Sequence, residues 1–331
     1  MKAIYLVQSK PTLTNVYSPA LREELAAHYG EMPILSKDEL DANAESLRDT
    51  ELIFSTWSMP SLTEDEIKAY FPSLKAVMYG AGSVQGFARP FLNCGVQVFS
   101  AWAANGVPVA EYTVAQIILA NKGFFTNQIW CKRDRSKCGA ITGGHHGNYG
   151  CCVGLIGCGM IGSMVAEMLK VYNLKVLAFD PFLSAEKAAA LGVEMVSLEE
   201  MFTRCAVISN HLANNARTRG MLNYDLFSKM EPYATFINTG RGAQVVEEDL
   251  IRALIEVPTR VAVLDVTDPE PPRPDSPFYQ MENVILTSHI AGSQQDEFHR
   301  MSEYMRDEAY ALEEGRPTRY SVTLKMLETM A

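Results

Sequence analysis

The first hundred residues alternate between short apolar runs and amphipathic stretches, a pattern that predicts a small α/β domain. Helices are predicted over Ser18–Tyr29, Ser36–Leu47 and Thr63–Tyr70, and Thr63 begins the last of them as an N-cap. The predicted strands are Ala3–Val7, Leu52–Ser55, Leu74–Tyr79 and Val96–Ser100. Strands that alternate with helices in this way are typical of a parallel sheet covered by helices.

A mostly apolar stretch, residues 106–122, predicts one long helix that leads into a second α/β unit. The predicted strands of that unit are Val153–Ile156, Lys175–Phe179, Ala206–Asn210, Ala234–Asn238, Val261–Asp265 and Asn283–Thr287. Its predicted helices are Ile161–Val171, Glu199–Arg204, Asp225–Met230 and Glu247–Ile255, and a charged helix follows over 294–314. The fold class is therefore α/β, with two doubly wound parallel-sheet domains, and 331 residues suffice for two separate cores.

Between the first strand and the first helix of the second unit lies a glycine pattern, G-x-G-x-x-G, at Gly157, Gly159 and Gly162. The first glycine permits a tight turn, the second lets the backbone approach a pyrophosphate, and the third lets helix pack on strand. The next strand ends at Asp180, where a carboxylate can accept hydrogen bonds from a ribose diol. Strand, glycines, helix, strand and acid in this order predict a dinucleotide-binding domain.

The later strands of this domain are each followed by a residue type that carries chemistry. His211 follows one strand, Arg241 the next, Glu270 the third and His289 the last. Each has a structural alternative, as a surface arginine, a solvated loop acid or a core histidine. Because ligands bind at the carboxyl ends of strands in a doubly wound sheet, the joint occurrence favours a catalytic interpretation.

Composition narrows the class of partner. The 29 basic and 39 acidic residues give a net charge of 29 − 39 = −10, which argues against nucleic acid as a main partner. The apolar run Ala3–Val7 is too short for a signal peptide, and nothing approaches a membrane-spanning length. A cytoplasmic protein without a membrane or nucleic-acid partner is the expectation.

The cysteine and histidine positions predict no metal site. The seven cysteines show no C-x-x-C spacing, and we interpret them as reduced, small apolar residues. The neighbouring His145 and His146 lie in a glycine-rich stretch without further ligands, which predicts a solvated loop.

Over nearly its full length the chain resembles the D-isomer-specific 2-hydroxyacid dehydrogenase family. The matching motifs are Gly80-Ala-Gly82, Val109-Ala-Glu-Tyr-Thr113, GLIGCGMIG with Asp180, Asn238-Thr-Gly-Arg-Gly242, Leu264-Asp-Val with Pro-Glu-Pro271, and Asn283-Val-Ile-Leu-Thr-Ser-His-Ile-Ala-Gly292. The resemblance implies a flavodoxin-like substrate domain of residues 1–102 and 293–331, into which a Rossmann NAD-binding domain of residues 103–292 is inserted. It also implies a homodimer formed mainly through the nucleotide domain.

The resemblance places the family's catalytic Arg, Glu and His on Arg241, Glu270 and His289. The chemistry is consistent with hydride transfer between NAD and a 2-oxo or D-2-hydroxy acid. A charged His289 can donate a proton to the developing alkoxide, and Glu270 favours that charged form and orients the ring. Arg241 offers fixed parallel donors to the substrate carboxylate and carbonyl.

Further residues are predicted to bind the cofactor or the substrate. The cofactor set is Gly157, Gly159, Met160, Ile161, Gly162, Asp180, Pro181, His211, Thr218, Thr239, Gly240, Asp265 and Gly292. The substrate set is Trp57, Gly80, Ala81, Gly82, Ser83 and Trp102. Asp180 favours NAD over NADP because its carboxylate repels a 2′-phosphate. The substrate loops carry no Lys or Arg, which predicts an unphosphorylated substrate with an apolar or hydroxylated tail. Arg89 and Arg300 are the basic residues that could also reach the substrate. Trp57 and Trp102 are equally compatible with a role in the core.

Three observations bear on other functions. An NAD(H)-sensing corepressor-like protein of the same fold would need a peptide-docking groove or long tails, which the sequence does not suggest. A dehydrogenase of a non-carboxylate such as phosphite is not excluded by Arg241 alone. Formate dehydrogenases of the family carry Gln at the acid position, so Glu270 argues against that activity. The cofactor-side loop has an unusual sequence, because His211-Leu-Ala-Asn-Asn-Ala-Arg-Thr218 departs from the family's usual His-x-Pro-Leu-Thr.

Overall fold

The computed structural model describes residues 1–328, and the chain separates into two compact units. The first unit consists of Met1–Gly106 and the chain from Ser293 onward, and the second unit is Val107–Gly292. Helix α6, Trp102–Asn121, contains the boundary between them. None of the helices in the described chain combines the length and the apolar character needed to cross a bilayer.

The strands of the described chain are β1 Ala3–Leu6, β2 Ile34–Leu35, β3 Leu52–Ser55, β4 Ala76–Tyr79, β5 Gln97–Ser100, β6 Tyr149–Ile156, β7 Asn173–Phe179, β8 Glu194–Met195, β9 Val207–Asn210, β10 Thr235–Asn238, β11 Val261–Leu264, β12 Val284–Leu286 and β13 Ser321–Val322. The helices are α1 Lys10–Val16, α2 Pro19–Tyr29, α3 Leu40–Leu47, α4 Glu64–Tyr70, α5 Ala88–Asn93, α6, α7 Phe124–Arg133, α8 Cys138–Thr142, α9 Met160–Leu169, α10 Ala185–Leu191, α11 Leu198–Arg204, α12 Tyr224–Phe227, α13 Glu247–Glu256 and α14 Glu297–Glu313.

Both sheets are doubly wound. In the first unit the order is β2-β1-β3-β4-β5, which is the flavodoxin-like order, and β13 adds an antiparallel edge strand beside β5. In the second unit the parallel order is β8-β7-β6-β9-β10-β11-β12, the Rossmann order with one further strand. The predicted fold class is confirmed, and within residues 1–328 the structure adds β13 as an antiparallel strand.

Both faces of each sheet are buried, as parallel sheets require. In the first sheet, Ile4 and Leu6 pack in one apolar cluster while Ala3 and Tyr5 pack in the cluster on the opposite face. The same alternation runs along the second sheet. The apolar runs seen in the sequence are therefore strands that contribute to two cores at once.

The element bounds differ from the predicted ones mainly at helix starts. Thr63 caps α4 as expected, since its Oγ1 accepts from the Glu66 amide and the Glu66 carboxylate accepts from the Thr63 amide. The helix predicted from Ser36 begins instead at Leu40, because a 3₁₀ turn over Lys37–Glu39 precedes it. The helices α1, α5, α7, α8 and α10 were not predicted. Four of them have only five to seven residues, too few for a clear period, whereas α7 has ten.

Candidate active site

The glycine turn of the second unit has the geometry that the motif predicts. Gly157 has φ +89°, and a Cβ there would contact the His211 carbonyl at 3.0 Å. A Cβ on Gly162 would lie 2.0 Å from the Gly157 carbonyl oxygen, so only glycine lets α9 pack this closely on the turn. By contrast, nothing lies within 4 Å of a Cβ built on Gly159, where α9 begins. The open side of this turn fits an anion held by helix N-terminal amides, with Met160 and Ile161 in the first turn.

Asp180 connects the end of β7 to this turn. Its Oδ2 accepts from the Cys158 amide at 2.8 Å, and its Oδ1 accepts from the Phe182 amide at 2.8 Å. Two backbone donors hold the half-buried carboxylate in place, next to the exposed Pro181. Asp180 is therefore oriented by the glycine turn itself, and its predicted contact with a ribose stays a prediction.

A buried amide cluster closes the ends of β9 and β10. The Asn210 side-chain amide donates to Asn238 Oδ1 at 3.0 Å and to Gln244 Oε1 at 2.5 Å. Gln244 in turn donates to the Leu212 carbonyl at 2.7 Å, and Asn238 donates to the Arg241 carbonyl at 3.2 Å. The cluster holds the backbone after β9 to the backbone after β10, and Asn210, Asn238 and Gln244 were not predicted as site residues.

His211 lies against the glycine turn, with its amide donating to the Ile156 carbonyl at 2.8 Å. Its Nε2 lies 3.0 Å from Ser209 Oγ, whereas Nδ1 is buried and has no partner among the described residues. Burial lowers the pKa of His211 to about 4, so the ring is neutral at physiological pH. In the loop that follows, Thr218 Oγ1 donates to the Ala213 carbonyl at 2.7 Å and folds the segment back on itself.

Arg241 follows β10 at a point where two backbones nearly touch. A Cβ on Gly242 would lie 2.0 Å from the Thr267 carbonyl carbon, which brings the end of β10 against the loop after β11. Arg241 Nη1 donates to the Gly240 carbonyl at 2.7 Å, which uses one of the donors of the guanidinium. Thr239 is held by a hydrogen bond of 3.2 Å with Thr113. Arg241 thus retains donors for an anionic ligand.

The predicted acid and base meet. Glu270 Oε1 lies 2.7 Å from His289 Nδ1, and their side chains are 41% and 46% exposed, respectively. His289 has φ +59°, a left-handed backbone that non-glycine residues rarely adopt and that concentrates at functional sites. Nδ1 is thus the ring nitrogen that contacts Glu270, and no hydrogen bond of Nε2 is found among the described residues.

Asp265 holds the loop that carries His289. Its Oδ1 accepts from Thr287 Oγ1 at 2.6 Å and from the Ile290 amide at 2.8 Å. Its Oδ2 accepts from the Ala291 amide at 2.9 Å, and its carbonyl accepts from the His289 amide at 3.0 Å. The side chain is 2% exposed, so this carboxylate acts chiefly within the protein. Its predicted contact with a cofactor stays a prediction, as does that of Gly292, which ends the same loop.

The predicted substrate residues lie in the first unit, after its strands. Trp57 is 37% exposed and packs edge-to-face on Phe298, with ring centroids 5.3 Å apart. Trp102 is half-buried against Tyr320. The aromatic residues at this strand edge are therefore partly accessible.

The backbone amides after β4 are only partly available. The amides of Gly80 and Ala81 donate to the carbonyls of Ser55 and Tyr79, while those of Gly82 and Ser83 have no acceptor in the described chain. Only the latter two can bind a carboxylate, which narrows the predicted set.

Two expectations about polar residues hold only in part. His146 is exposed, as a solvated loop predicts, whereas His145 is half-buried and packs on Tyr233 with ring centroids 5.3 Å apart, and burial lowers its pKa. Cys131 is exposed and lies 3.0 Å, sulfur to sulfur, from Cys138, so these two are not simply apolar core residues.

Comparisons with known proteins agree with the fold and with the nucleotide-binding interpretation of the glycine turn. The family model described as "D-isomer specific 2-hydroxyacid dehydrogenase, NAD binding domain" matches residues 114–291. A D-3-phosphoglycerate dehydrogenase of Archaeoglobus fulgidus is 30% identical over 71% of this chain, which corresponds to only 44% of that relative's length. A formate dehydrogenase of Neurospora crassa is 32% identical over 76% of this chain and 70% of its own.

Among solved structures, a phosphoglycerate oxidoreductase from Rhizobium etli superimposes with a TM-score of 0.80. It is 20% identical, and the match covers 98% of this chain and 99% of that one. At this identity the likeness establishes the fold. The family-model match covers the glycine turn, Asp180, Arg241, Glu270 and His289.

Proposed function

The chain belongs to the D-isomer-specific 2-hydroxyacid dehydrogenase family, and on that premise we propose that it interconverts a 2-oxo acid and a D-2-hydroxy acid with NAD(H). The observation that carries the proposal is the 2.7 Å contact between Glu270 and His289 on loops that end the strands of an NAD-binding domain. Such a pair supplies and removes a proton beside a reacting carbonyl.

The roles of the pair follow from hydrogen-bond chemistry. An ionised carboxylate only accepts hydrogen bonds, so the Nδ1 facing Glu270 carries a hydrogen and Nε2 is the nitrogen that exchanges its proton. In the reductive direction, His289 donates the Nε2 proton to the carbonyl oxygen of the substrate. In the oxidative direction, the neutral ring accepts the hydroxyl proton at the same atom.

Arg241 complements this pair as the anion-binding group. Its guanidinium has five donors, of which one contacts the Gly240 carbonyl, and its planar fork matches a carboxylate. The close contact at Gly242 and the hydrogen bond from the Asn238 side-chain amide hold the backbone of Arg241 in place, so the base of its side chain has a fixed position. We assign it to the substrate carboxylate and carbonyl.

The cofactor-side residues fit a nicotinamide dinucleotide, which when bound carries the hydride. The open surface above Gly159 receives the pyrophosphate, and the Asp180 carboxylate accepts from the ribose hydroxyls. We propose NAD rather than NADP because Pro181 and Phe182 supply no cation beside Asp180 to neutralise a 2′-phosphate. Dissociation constants of NADH and NADPH, measured by fluorescence titration, test this preference, and tighter NADPH binding would refute it.

For the substrate we propose an unphosphorylated 2-oxo acid with an apolar or hydroxylated tail. Trp57 and Trp102 lend apolar surface to the loops of the first unit, and Gly82 and Ser83 offer free amides. Several relatives are named D-3-phosphoglycerate dehydrogenase, so the alternative is a phosphorylated substrate. A panel of glyoxylate, hydroxypyruvate, 3-phosphohydroxypyruvate and aromatic and branched 2-oxo acids distinguishes the two, and a preference for 3-phosphohydroxypyruvate would overturn the proposal. Adding formate and phosphite, with NAD, tests the two non-2-hydroxyacid reactions.

The acid–base assignment is tested with His289→Gln. We expect kcat/KM for the best 2-oxo acid to fall about 10²- to 10⁴-fold, the usual contribution of general acid–base catalysis. A matched control is His28→Gln, since His28 Nε2 also lies 2.7 Å from a carboxylate, Glu313, in the first unit. The control should retain wild-type kcat/KM. A His289 variant with activity within a few-fold of wild type would remove the basis of the proposal.

The homodimer and the cytoplasmic location stay predictions. Size-exclusion chromatography with light scattering should give twice the chain mass of 36.7 kDa for a dimer. A monomer at micromolar concentration would contradict the quaternary prediction without affecting the catalytic one.

A further inference from the structure

Two thiols outside the site are in direct contact. Cys131 lies in the last turn of α7 and Cys138 begins α8, and their sulfur atoms are 3.0 Å apart. This distance is only about 1 Å longer than a disulfide bond of about 2.05 Å. Asp134 reverses the chain between them, since its carboxylate accepts from the Ser136 amide at 3.1 Å. The turn thus places two nucleophilic side chains within bonding reach.

The two sulfur atoms differ in environment. Cys131 is exposed, whereas Cys138 is buried. The pKa of Cys138 is raised, mainly because Cys138 is hydrogen-bonded to Cys131. The buried sulfur therefore keeps its proton. Because a peroxide in solution can reach the exposed sulfur, Cys131 is the attacking residue, and the buried Cys138 sulfur lies next to it.

The other cysteines are less suited to reaction. Burial raises the pKa of Cys151 and of Cys158 to about 11 and also raises that of Cys205. Cys94 is half-buried, and its sulfur faces the Glu64 carbonyl at 3.8 Å. Within the described residues, Cys131 with Cys138 is the sulfur pair that combines exposure with direct contact.

We propose that Cys131 and Cys138 form a reversible dithiol–disulfide site that reacts with hydroperoxides. The Cys131 thiolate attacks one oxygen of hydrogen peroxide, takes up a hydroxyl group as sulfenic acid and, with one proton, releases water. The Cys138 sulfur then attacks the Cys131 sulfur, and its proton leaves with the hydroxyl as a second water. Overall two thiols and one peroxide give one disulfide and two waters, and a dithiol reductant reverses the change.

A neighbouring indole reports on this step. Lys137 lies over the ring of Trp130, 5.5 Å from its centroid, and these two residues immediately precede Cys138 and Cys131 in sequence. Closing the disulfide moves both backbones, so the fluorescence of Trp130 should change with oxidation. The change should be absent in Trp130→Phe, in which the disulfide still forms.

The experiment treats the reduced full-length chain with one equivalent of hydrogen peroxide, blocks free thiols with N-ethylmaleimide and maps peptides by mass spectrometry. We expect an intramolecular Cys131–Cys138 disulfide that dithiothreitol reverses, and five alkylated cysteines. Cys138→Ser should stop at a Cys131 sulfenic acid that dimedone traps, and Cys131→Ser should consume no peroxide at this site. Cys152→Ser, a half-buried cysteine outside the pair, should behave as wild type.

Several results would overturn the proposal. They are alkylation of both thiols after peroxide treatment, a disulfide between other cysteines, or a Cys131 disulfide between two chains. Circular dichroism of each variant shows whether the fold is intact, and Cys131→Ala, a change at an exposed site, provides a second test should Cys138→Ser unfold. None of these readouts depends on the dehydrogenase activity, so the two proposals fail separately.

Discussion

Replacing two glycines of the same turn with alanine should separate its packing role from its binding role. In Gly162→Ala the new Cβ meets the Gly157 carbonyl oxygen at 2.0 Å, against about 3.4 Å for an ordinary contact, so helix and turn must part by about 3.4 − 2.0 = 1.4 Å. In Gly159→Ala the new Cβ meets nothing within 4 Å, and the φ of −64° suits alanine. Gly162→Ala therefore disturbs the packing of α9 on the turn, whereas Gly159→Ala changes only the open surface of the turn where the pyrophosphate is expected.

The expected magnitudes follow from these contacts. Overpacking against backbone costs about 1–3 kcal/mol, against a helix-propensity gain of at most about 1 kcal/mol for alanine. For a unit of 292 − 107 + 1 = 186 residues, a net loss of about 2 kcal/mol lowers Tm by about 4–8 °C. Gly159→Ala should lower Tm by at most about 2–4 °C, since losing a glycine N-cap costs at most about 1 kcal/mol. It should nevertheless raise the Kd for NADH at least about tenfold, or about 1.4 kcal/mol.

Differential scanning fluorimetry and NADH fluorescence titration measure the two effects on the same samples. Gly86→Ala is a control in the first unit, where a Cβ also meets nothing within 4 Å, and it should change neither quantity. If Gly159→Ala bound NADH with the wild-type Kd, the pyrophosphate would not cross this turn. If Gly162→Ala were as stable as wild type, the close helix contact would not matter.

Three further predictions concern the strand ends. Glu270→Gln should lower kcat/KM for 2-oxo acid reduction at least about tenfold while the Kd for NADH stays unchanged, because an amide does not stabilise a charged His289; equal kinetics would contradict the pairing. Gln244→Leu should lower the free energy of unfolding by about 1–3 kcal/mol in urea titrations, because the buried Asn210 loses an acceptor; a change below about 0.5 kcal/mol would contradict this role for the amide cluster. His211 stays neutral in the folded state down to about pH 4, while the unfolded chain protonates near 6.5. The contribution of His211 to the free energy of unfolding is therefore complete above pH 6.5 and is lost as pH falls toward 4. The loss at pH 4.5 is at most about 2.5 kcal/mol, because the ring is partly exposed to solvent. His211→Asn should abolish this pH-dependent loss.

Much of the fold was predictable because the strands are buried on both faces. Apolar runs such as Leu52–Ser55 and Val261–Leu264 stand out from any neighbouring stretch, and their order along the chain limits the topology. Helix starts were harder to predict. A 3₁₀ turn and a first helical turn have similar sequences, and the difference at Ser36 depends on where the Glu39 carboxylate finds donors.

The strand-end residues were predictable for a related reason. Parallel strands deliver their carboxyl ends to one edge, so Arg241, Glu270 and His289 could be grouped before any distance was known. What could not be predicted is how each is held. The contacts of Gly242 with Thr267 and of Gln244 with Asn210 join residues 25 to 34 positions apart, and no local pattern encodes them.

The same limit explains the errors. His145 and the Cys131–Cys138 contact both depend on the conformation of the segment between α6 and β6, whose short helices carry a weak period. There the chain gives no regular spacing from which burial could be inferred. Tyr233 covers His145 from a distant turn, which only the folded structure shows.

Asp265 gives the clearest account of how the loop that carries His289 is held in position. Its carboxylate is nearly inaccessible, yet it accepts three hydrogen bonds from the loop of His289, which offset the cost of burying the charge. Those bonds, with the fourth from the His289 amide to the Asp265 carbonyl, hold a left-handed backbone that would otherwise relax. The imidazole is thereby pre-organised, and catalysis gains most when such groups need no rearrangement. A residue first expected at the cofactor thus has a second task, holding the base in position, and sequence spacing alone cannot distinguish the two.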